Sequence, residues 1–299
     1  MGIGHYIKDI GRGKDGARAL GRAQAADLMG LILDQQVSDL ELGAFCIAMR
    51  IKGETAEEMA GFLDATHARL NKVRTGQAPT VVLPSYNGAR KLPVLTPLLA
   101  LLLAREGVAV VMHGTATEDK RVSSQAVLAA LGMAASGPSA QAKAGEVLFV
   151  PTGVLNAGLE RLLSVRRVVG LRNPGHSLVK HMNPCEGPAL VVSSYTHPEY
   201  LQSMSATFAL TAQHALLLRG TEGESVADAR RTPAMDVFIG GTTRRVQAPQ
   251  EGPLAQLPEL PRTDAAATAL YIEHVMQNLL PVPEPIARQI QHILREVQA

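Results

Sequence analysis

The spacing of apolar residues divides this chain into a helical beginning and a longer region where strands and helices alternate. Residues 1–73 read as helices throughout, and two S/T-x-x-E capping boxes, Ser38 with Glu41 and Thr55 with Glu58, predict where two helices begin. The helix between them is apolar over most of its circumference, so several sides of it need cover. Because a bundle of about seventy residues buries little surface alone, we expect residues 1–73 to form the contact of a homodimer.

After a polar break at residues 75–79, β-branched runs alternate with helical patterns. An apolar run at 81–83, a long apolar helix and a second run at 108–112 are followed by runs at 147–150, 189–194, 214–218 and 235–239. Strands separated by helices indicate βαβ units and a largely parallel sheet. The predicted fold class is therefore α/β, with a small N-terminal helical domain and a larger α/β domain, residues 79–299, around a mostly parallel central sheet.

Three further segments complete the prediction. Residues 154–183 are helical and basic, and could join the first helical domain. Residues 247–262, rich in Pro and Gln, are expected to form a surface loop. Thr263 or Asp264 then caps a helix to Leu280, and the last helix carries an apolar stripe of Ile286, Ile290, Ile293 and Val297.

Composition narrows the possible functions. Aromatic residues make up only 3% of the chain and Trp is absent, so extensive base stacking is not expected. A net charge of +2 is too small to indicate a polyanion partner by itself. Cys46 and Cys185 lack metal-ligand spacing, and no apolar run is long enough for a membrane span or a secretion signal. These features predict a reduced, cytoplasmic protein without structural zinc.

The turn after the first strand of the α/β region occupies a position that is often functional. A strand, a turn and a helix in this order commonly hold phosphate, and the turn then uses successive glycines so that N–H groups approach the anion. Here the turn reads Pro84-Ser85-Tyr86-Asn87-Gly88, with one glycine and a proline that has no N–H. The sequence therefore predicts a turn that is not built for phosphate.

Four segments, DLELGAFCIAMRIKGETAEEMAGF (39–62), GVAVVMHGT (107–115), VLAALG (127–132) and RRVVGLRNPG with MNP (166–184), resemble the anthranilate phosphoribosyltransferase family. The resemblance extends over nearly the whole chain. It implies a helical dimerisation domain, an α/β domain, and a cleft between them for phosphoribosyl pyrophosphate with magnesium.

The functional motifs of that family are changed here. Its GTGGD turn falls on residues 84–88, its NxST element on 94–97, its KHGN element on 112–115, and its magnesium-binding acidic pair on Ser225 and Val226. The resemblance thus implies a degenerate substrate cleft of Tyr86, Asn87, Gly88, His113, Gly114 and Thr115. No catalytic residue or metal ligand is assigned, since His113 has no partner acid or nucleophile in the sequence. No cofactor is expected, and magnesium only if the chain is a transferase after all.

PSYNGARK (84–91), RGTEGE (219–224) and IKDIGRGKDGARAL (7–20) are similar to the divergent YbiB-like subgroup, whose members the resemblance implies to be dimeric, sequence-nonspecific nucleic-acid binders. The candidate phosphate contacts are the basic residues Arg12, Lys14, Arg90, Lys91, Arg166, Arg167 and Arg172. These positions could instead be solvated helix faces and, at 87–91, a plain turn.

The sequence favours nonspecific, salt-dependent binding of DNA or RNA through backbone phosphates by a catalytically degenerate homodimer. The alternative is a phosphoribosyl- or glycosyltransferase with an altered donor or acceptor. A third hypothesis is a scaffolding dimer without a ligand.

Overall fold

The computed structural model describes residues 2–13, 15–253 and 257–298, which form a helical lobe and an α/β lobe. The first lobe begins with four helices: α1 (Gly4–Ile10), α2 (Arg22–Leu33), α3 (Asp39–Lys52) and α4 (Ala56–His67). Both predicted capping boxes are confirmed, because Ser38 and Thr55 each accept a hydrogen bond from the N–H of the glutamate three residues later.

The second lobe is built on one seven-stranded sheet. Its strands are β2 (Thr80–Pro84), β3 (Ala109–Gly114), β5 (Val147–Pro151), β6 (Leu190–Tyr195), β7 (Ala215–Arg219), β8 (Met235–Ile239) and β9 (Thr242–Gln247), in the spatial order β5-β3-β2-β6-β7-β8-β9. The first five in that order are parallel, whereas β8 pairs antiparallel with both β7 and β9. Two short strands, β1 (Arg74–Thr75) and β4 (Gln141–Ala142), pair separately.

Helices cover both faces of this sheet. They are α5 (Thr96–Arg105), α6 (Ser124–Ala130), α7 (Thr152–Leu155), α8 (Ala157–Val169), α9 (Gly175–Leu178), α10 (Pro198–Thr211), α11 (Ala265–Met276) and α12 (Glu284–Gln298). Successive residues of β2 point to opposite faces: Val81 and Leu83 enter a core with α5, α11 and α12, and Val82 enters a core shared with the helical lobe. The α/β fold with a mostly parallel sheet is thus confirmed.

Helix α8 packs against α2 and α3, although it follows them by about a hundred residues. The contact is close, since a Cβ atom on Gly158 would lie 2.0 Å from the backbone oxygen of Leu33. Most of the basic segment predicted to be helical, residues 154–183, lies in helices, and its helix α8 packs on the helical lobe.

Several boundaries differ from the sequence prediction. Helix α11 is capped by Asp264 as expected but ends at Met276 rather than Leu280, and Asn278 has a φ of 60°. The predicted loop at 247–262 is free of helix and strand at 248–253 and 257–262, while residues 254–256 lie outside the described part. Within the described residues, no helix is both long and apolar enough to cross a bilayer.

Candidate functional site at the carboxyl ends of the strands

The carboxyl ends of β2, β3, β6 and β7 meet at one edge of the sheet, next to the helical lobe. Open parallel sheets bind their ligands at this edge. Two polar features lie here: the turn that follows β2, and a pocket between the lobes.

The turn, residues 84–92, wraps around the carboxylate of Glu224. This carboxylate is buried and accepts hydrogen bonds from the N–H groups of Asn87 and Gly88, at 2.9 and 2.8 Å. The hydroxyls of Ser85 and Thr96 also donate to it. Its negative charge is thereby held by neutral donors, in the manner of a bound anion.

The next stretch of the turn wraps around a second carboxylate, that of Glu222. The N–H groups of Arg90, Lys91 and Leu92 donate to it at 3.2, 2.7 and 2.9 Å. Arg121 donates to the same carboxylate at 3.2 Å. Burial raises the pKa of Glu222, but the N–H bonds from Lys91, Leu92 and Arg90 and the charge of Arg121 outweigh it and lower the pKa overall.

The turn, which the sequence predicts to be unsuited to phosphate, holds two carboxylates of the same chain. Five backbone N–H groups, from Asn87, Gly88, Arg90, Lys91 and Leu92, converge on carboxylate oxygens. A single glycine suffices, because Gly88 alone in the turn has a positive φ, of 61°. The turn therefore collects anion-binding donors, and the chain's own glutamates use them.

The magnesium ion that the family resemblance implies does not fit the residues present. Val226 has no ligand atom, and the Ser225 hydroxyl donates to the backbone oxygen of Pro84 at 2.8 Å. The nearby carboxylates of Glu222 and Glu224 are directed at N–H donors. Within the described residues no group of three or more His, Cys, Asp or Glu side chains is placed to hold a metal.

The other predicted cleft residues are core contacts. Tyr86 is buried, and its hydroxyl lies 2.7 Å from Nδ1 of His113 and accepts a hydrogen bond from Thr152. Burial lowers the pKa of His113 to about 3 and keeps it neutral. Gly114 permits a close approach, since a Cβ atom there would lie 2.0 Å from the backbone oxygen of Ser85. Thr115 donates to Glu160 at 2.8 Å.

The pocket between the lobes has a volume of about 220 Å³. The α3–α4 connection, the segment around α9, the end of β6 and helix α10 form its walls. Its polar lining includes Arg172, His176, Lys180 and Ser194. The Lys180 ammonium is fixed there, because it donates to the backbone oxygens of Ser194 and Gly223 at 2.8 and 3.0 Å. The pocket is therefore lined mainly by cationic and neutral polar groups, and Glu54, whose pKa is raised by burial, is its acidic member.

Several ionisable side chains that line this pocket have lowered pKa values. Burial, together with the charge of Arg172, lowers the pKa of Lys180 to about 8. Burial and the charges of Arg172 and Arg166 lower the pKa of His176 to about 3. The pKa of Arg172 is itself lowered by burial and by Arg166 and Arg121. The buried Nε2 atoms of His176 and His181 have no hydrogen-bond partner among the described residues. The cations that line this pocket, Arg50, Arg172 and Lys180, outnumber its one lining carboxyl group, Glu54, which favours an anionic ligand.

The predicted phosphate contacts are distributed unevenly around this edge. Arg90 and Lys91 expose their side chains at the turn, and Arg172 lies in the pocket. Arg166 is paired with Glu118 and Arg167 with Asp119, both at 2.6 Å. Arg12, at the end of α1, lies 3.7 Å from Asp9. Lys14 lies outside the described residues.

Sequence reasoning named most of the cations of this edge but not the function of the two glutamates. Glu222 and Glu224 follow β7 and flank Gly223. This glycine is the only local signal in the sequence for a bend that directs both carboxylates to one side. The free cysteines, Cys46 and Cys185, are both buried and lie outside this site.

Comparisons with known proteins place these features in a family. The model of the glycosyl transferase family, helical bundle domain, matches residues 5–69. The uncharacterized protein YbiB of Escherichia coli (strain K12) is 39% identical over 95% of this chain and 91% of its own length. An anthranilate phosphoribosyltransferase of Anaeromyxobacter dehalogenans (strain 2CP-C) is 29% identical over 92% of this chain and 83% of its own length.

Solved structures show the same two-lobed fold. Anthranilate phosphoribosyltransferase from Thermus thermophilus matches with a TM-score of 0.73 at 21% identity, covering 95% of this chain and 85% of that one. The enzyme from Saccharomyces cerevisiae in complex with PRPP and Mg matches with a TM-score of 0.67 at 14% identity, covering 96% and 85%. Fold and sequence likeness together define a protein with the phosphoribosyltransferase fold. The chain belongs to the anthranilate phosphoribosyltransferase-like family of glycosyl transferases, in the divergent branch that contains YbiB.

Proposed function

We propose that this protein has a transferase-type site that binds a small anionic molecule. The part of the site that holds the acceptor substrate is retained, and the part that holds the donor substrate is altered. The relatives with a named activity are phosphoribosyltransferases, so the comparisons favour this alternative over nucleic-acid binding. The observation that carries the proposal is the interlobe pocket, which Arg172, Lys180 and His176 line together. The buried Nε2 of that histidine finds no partner among the described residues.

The chemistry of the pocket favours a carboxylate or phosphate on a compact apolar body. A guanidinium and an ammonium supply charge-assisted donors, and an anion would relieve the repulsion between them. Met49, Met59 and Met204 provide apolar wall. Aromatic carboxylates are the first ligands to test, because anthranilate is the molecule after which the relatives are named.

The donor side argues against phosphoribosyl pyrophosphate as the second substrate. The N–H groups of the turn already hold Glu222 and Glu224, and the metal ligands are absent at Ser225 and Val226. A pyrophosphate leaving group draws its stabilisation from such donors and from a metal ion. Transfer, if catalysed, therefore uses a different donor, and no dependence on magnesium is expected.

Calorimetric titration with anthranilate and benzoate tests the pocket. We expect binding by the wild-type chain and at least about tenfold weaker binding by Arg172→Ala, because one charge-assisted contact is removed. Arg105→Ala is the matched control, since Arg105 is exposed at the end of α5. Failure of the wild-type chain to bind any of a panel of aromatic carboxylates would reject the pocket. Product formation from anthranilate, phosphoribosyl pyrophosphate and magnesium would contradict the altered donor side.

Nucleic-acid binding is the second candidate, favoured by the exposed side chains of Arg90 and Lys91 at the turn after β2. Arg166 and Arg167 should contribute less to phosphate binding, since they are paired with Glu118 and Asp119. Contacts of this kind would be to phosphates and would weaken steeply with salt.

A gel-shift series with a mixed-sequence oligonucleotide separates the candidates. Replacing Arg90 and Lys91 with Ala should weaken binding and reduce its salt dependence, since each lost phosphate contact lowers the logarithmic salt slope by about 0.7–0.9. The control pair Arg105→Ala and Lys143→Ala removes two exposed cations from the opposite edge of the sheet. Equal effects of the two pairs, or no shift with the wild-type chain at low salt, would reject this candidate.

The predicted homodimer belongs to the same proposal. Leu40 and Ile51 lie at the two ends of α3 with exposed fractions of 84% and 61%. An apolar surface of this kind suits a subunit contact. Light scattering after size-exclusion chromatography should give twice the chain mass, and Ile51→Lys should shift it toward the single chain.

A further inference from the structure

Residues 220–224, the plug segment, dock on the turn with an unusually close fit. Gly223 makes this possible, because a Cβ atom on it would lie 1.8 Å from Nδ2 of Asn87. Gly220 lets the segment fold back on itself, because a Cβ atom on it would lie 1.9 Å from the backbone oxygen of Glu224. Asn87 also donates from that amide to the backbone oxygen of Glu222 at 2.8 Å. The plug segment and the turn are therefore fitted to each other.

The backbone of the plug segment is held in a costly conformation. Glu222 has a φ of 51°, although it is not a glycine, and Gly223 follows with a φ of 88°. A left-handed conformation is unfavourable for a residue that has a side chain. The hydrogen bonds to Glu222 and Glu224 offset this cost, so the two carboxylates determine where the segment lies.

Turns that gather several backbone N–H groups after a parallel strand bind oxyanions. Here the donors fall into two adjacent sets, Asn87 with Gly88 and Arg90 to Leu92, and each set holds one carboxylate. Two neighbouring anionic groups with several acceptor oxygens correspond chemically to a diphosphate.

We propose that the plug segment takes the place of a diphosphate in this turn. The carboxylates of Glu222 and Glu224 occupy the N–H donors that would otherwise be able to bind such an anion. Glu224 is fully buried and fixes the inner donors. Glu222 lies at the rim, with 16% of its side chain exposed, and closes the outer donors. Withdrawal of Glu222 therefore opens the outer half of the turn to inorganic pyrophosphate without removing the inner half.

The test compares pyrophosphate binding by wild-type chain, Glu222→Ala and Glu118→Ala in calorimetric titrations without magnesium. Glu118 is the matched control, because its replacement removes one carboxylate that also pairs with Arg121 but contacts none of the five N–H groups. We expect Glu222→Ala to bind pyrophosphate at least about tenfold more tightly than either of the other two chains, as two or more charge-assisted bonds become available.

Hydrogen exchange provides a second readout on the same donors. The amides of Arg90, Lys91 and Leu92 should be protected in the wild-type chain, exchange faster in Glu222→Ala, and regain protection when pyrophosphate is added. A Glu222→Gln variant keeps the side-chain shape and one acceptor oxygen, so it should show a smaller gain. It replaces the alanine variant if that variant does not fold.

The proposal fails if the wild-type chain binds pyrophosphate as tightly as Glu222→Ala, or if a folded Glu222 variant gains no binding over Glu118→Ala. Hydrogen exchange separates these results from binding in the interlobe pocket, because pyrophosphate held in the pocket would not protect the amides of residues 90–92.

Discussion

The turn after β2 and the pocket between the lobes lie at the same edge of the sheet, yet they differ in how far their charged groups are paired with partners. In the turn, every carboxylate oxygen faces N–H or hydroxyl donors from residues 85–96 or Arg121. In the pocket, two cations lie close together, and the histidine Nε2 atoms lack partners among the described residues. The first arrangement stabilises the fold, and the second is unfavourable until a ligand completes it.

Under the proposed function, the two halves of a two-substrate site have changed separately. A closed anion turn contributes stability without a ligand, whereas an open cationic pocket would bind an anion at the expense of stability. Substitutions in the turn should therefore affect the free energy of unfolding, whereas substitutions in the pocket should affect ligand binding.

The largest expected effect is on the turn. Glu224→Ala should lower the free energy of unfolding by about 3–5 kcal/mol, because the buried N–H and hydroxyl donors lose their acceptor. Urea denaturation measures the change, and Glu251→Ala, at an exposed loop position, is the control. A loss of under about 1 kcal/mol would mean that water satisfies these donors as well as the carboxylate does.

The next effect is the pH dependence of the pocket. In the folded chain, burial and nearby cations lower the pKa of His176 to about 3, and burial lowers that of His181 to about 4. Unfolded histidine binds its proton near pH 6.5, so the unfolded state holds more protons between about pH 6.5 and 4 and stability falls with acidity in that range.

Between about pH 6.5 and 5, each of these histidines should remove about 2 kcal/mol from the free energy of unfolding. Urea denaturation of His176→Gln should show a shallower decline than the wild-type chain, with a reference near pH 8, at which both histidines are neutral in both states. Parallel declines of the two chains would show that His176 takes up its proton without unfolding.

A smaller effect of opposite sign is expected at Arg172. Replacing this partly buried cation with Ala should leave the free energy of unfolding unchanged or raise it by up to about 1 kcal/mol, since repulsion with Arg166 and Arg121 is relieved. The same denaturation assay measures it. A clear loss of stability would indicate that the guanidinium stem packs in the pocket wall.

The smallest effect concerns the exposed cations of the turn. Arg90→Ala and Lys91→Ala should each change stability by less than about 0.5 kcal/mol, because their backbone N–H groups, not their side chains, bind Glu222. A larger loss in either would assign the side chain a structural role and weaken the nucleic-acid hypothesis.

Local patterns are sufficient to predict most of the fold. The capping boxes at Ser38 and Thr55, the cap at Asp264 and the apolar β2–α5–β3 unit depend on neighbouring residues, and the structure has them within one to four residues of the prediction. Strand β9 is not predicted, because its sequence, TTRRVQ, lies at an exposed sheet edge and lacks the apolar alternation of a covered strand.

The chemistry of the site depends on distant pairs, which local patterns do not encode. Glu222 and Glu224 bind residues that precede them by 100 to 139 positions, and Arg166 binds Glu118, 48 positions earlier. Net charge along a segment does not reveal these ion pairs. The family resemblance locates the changed motifs but does not show that the turn keeps its donors.

The packing of α8 on α2 and α3 also affects how the chain is made. About a hundred residues separate the end of α3 from the start of α8. At a synthesis rate of about 5–20 residues per second, α2 and α3 therefore leave the ribosome roughly 5–20 s before the helix that covers them. The apolar surface opposite Gly158 is exposed during that interval, so nascent chains arrested before residue 157 should engage chaperones more strongly than chains released after residue 180.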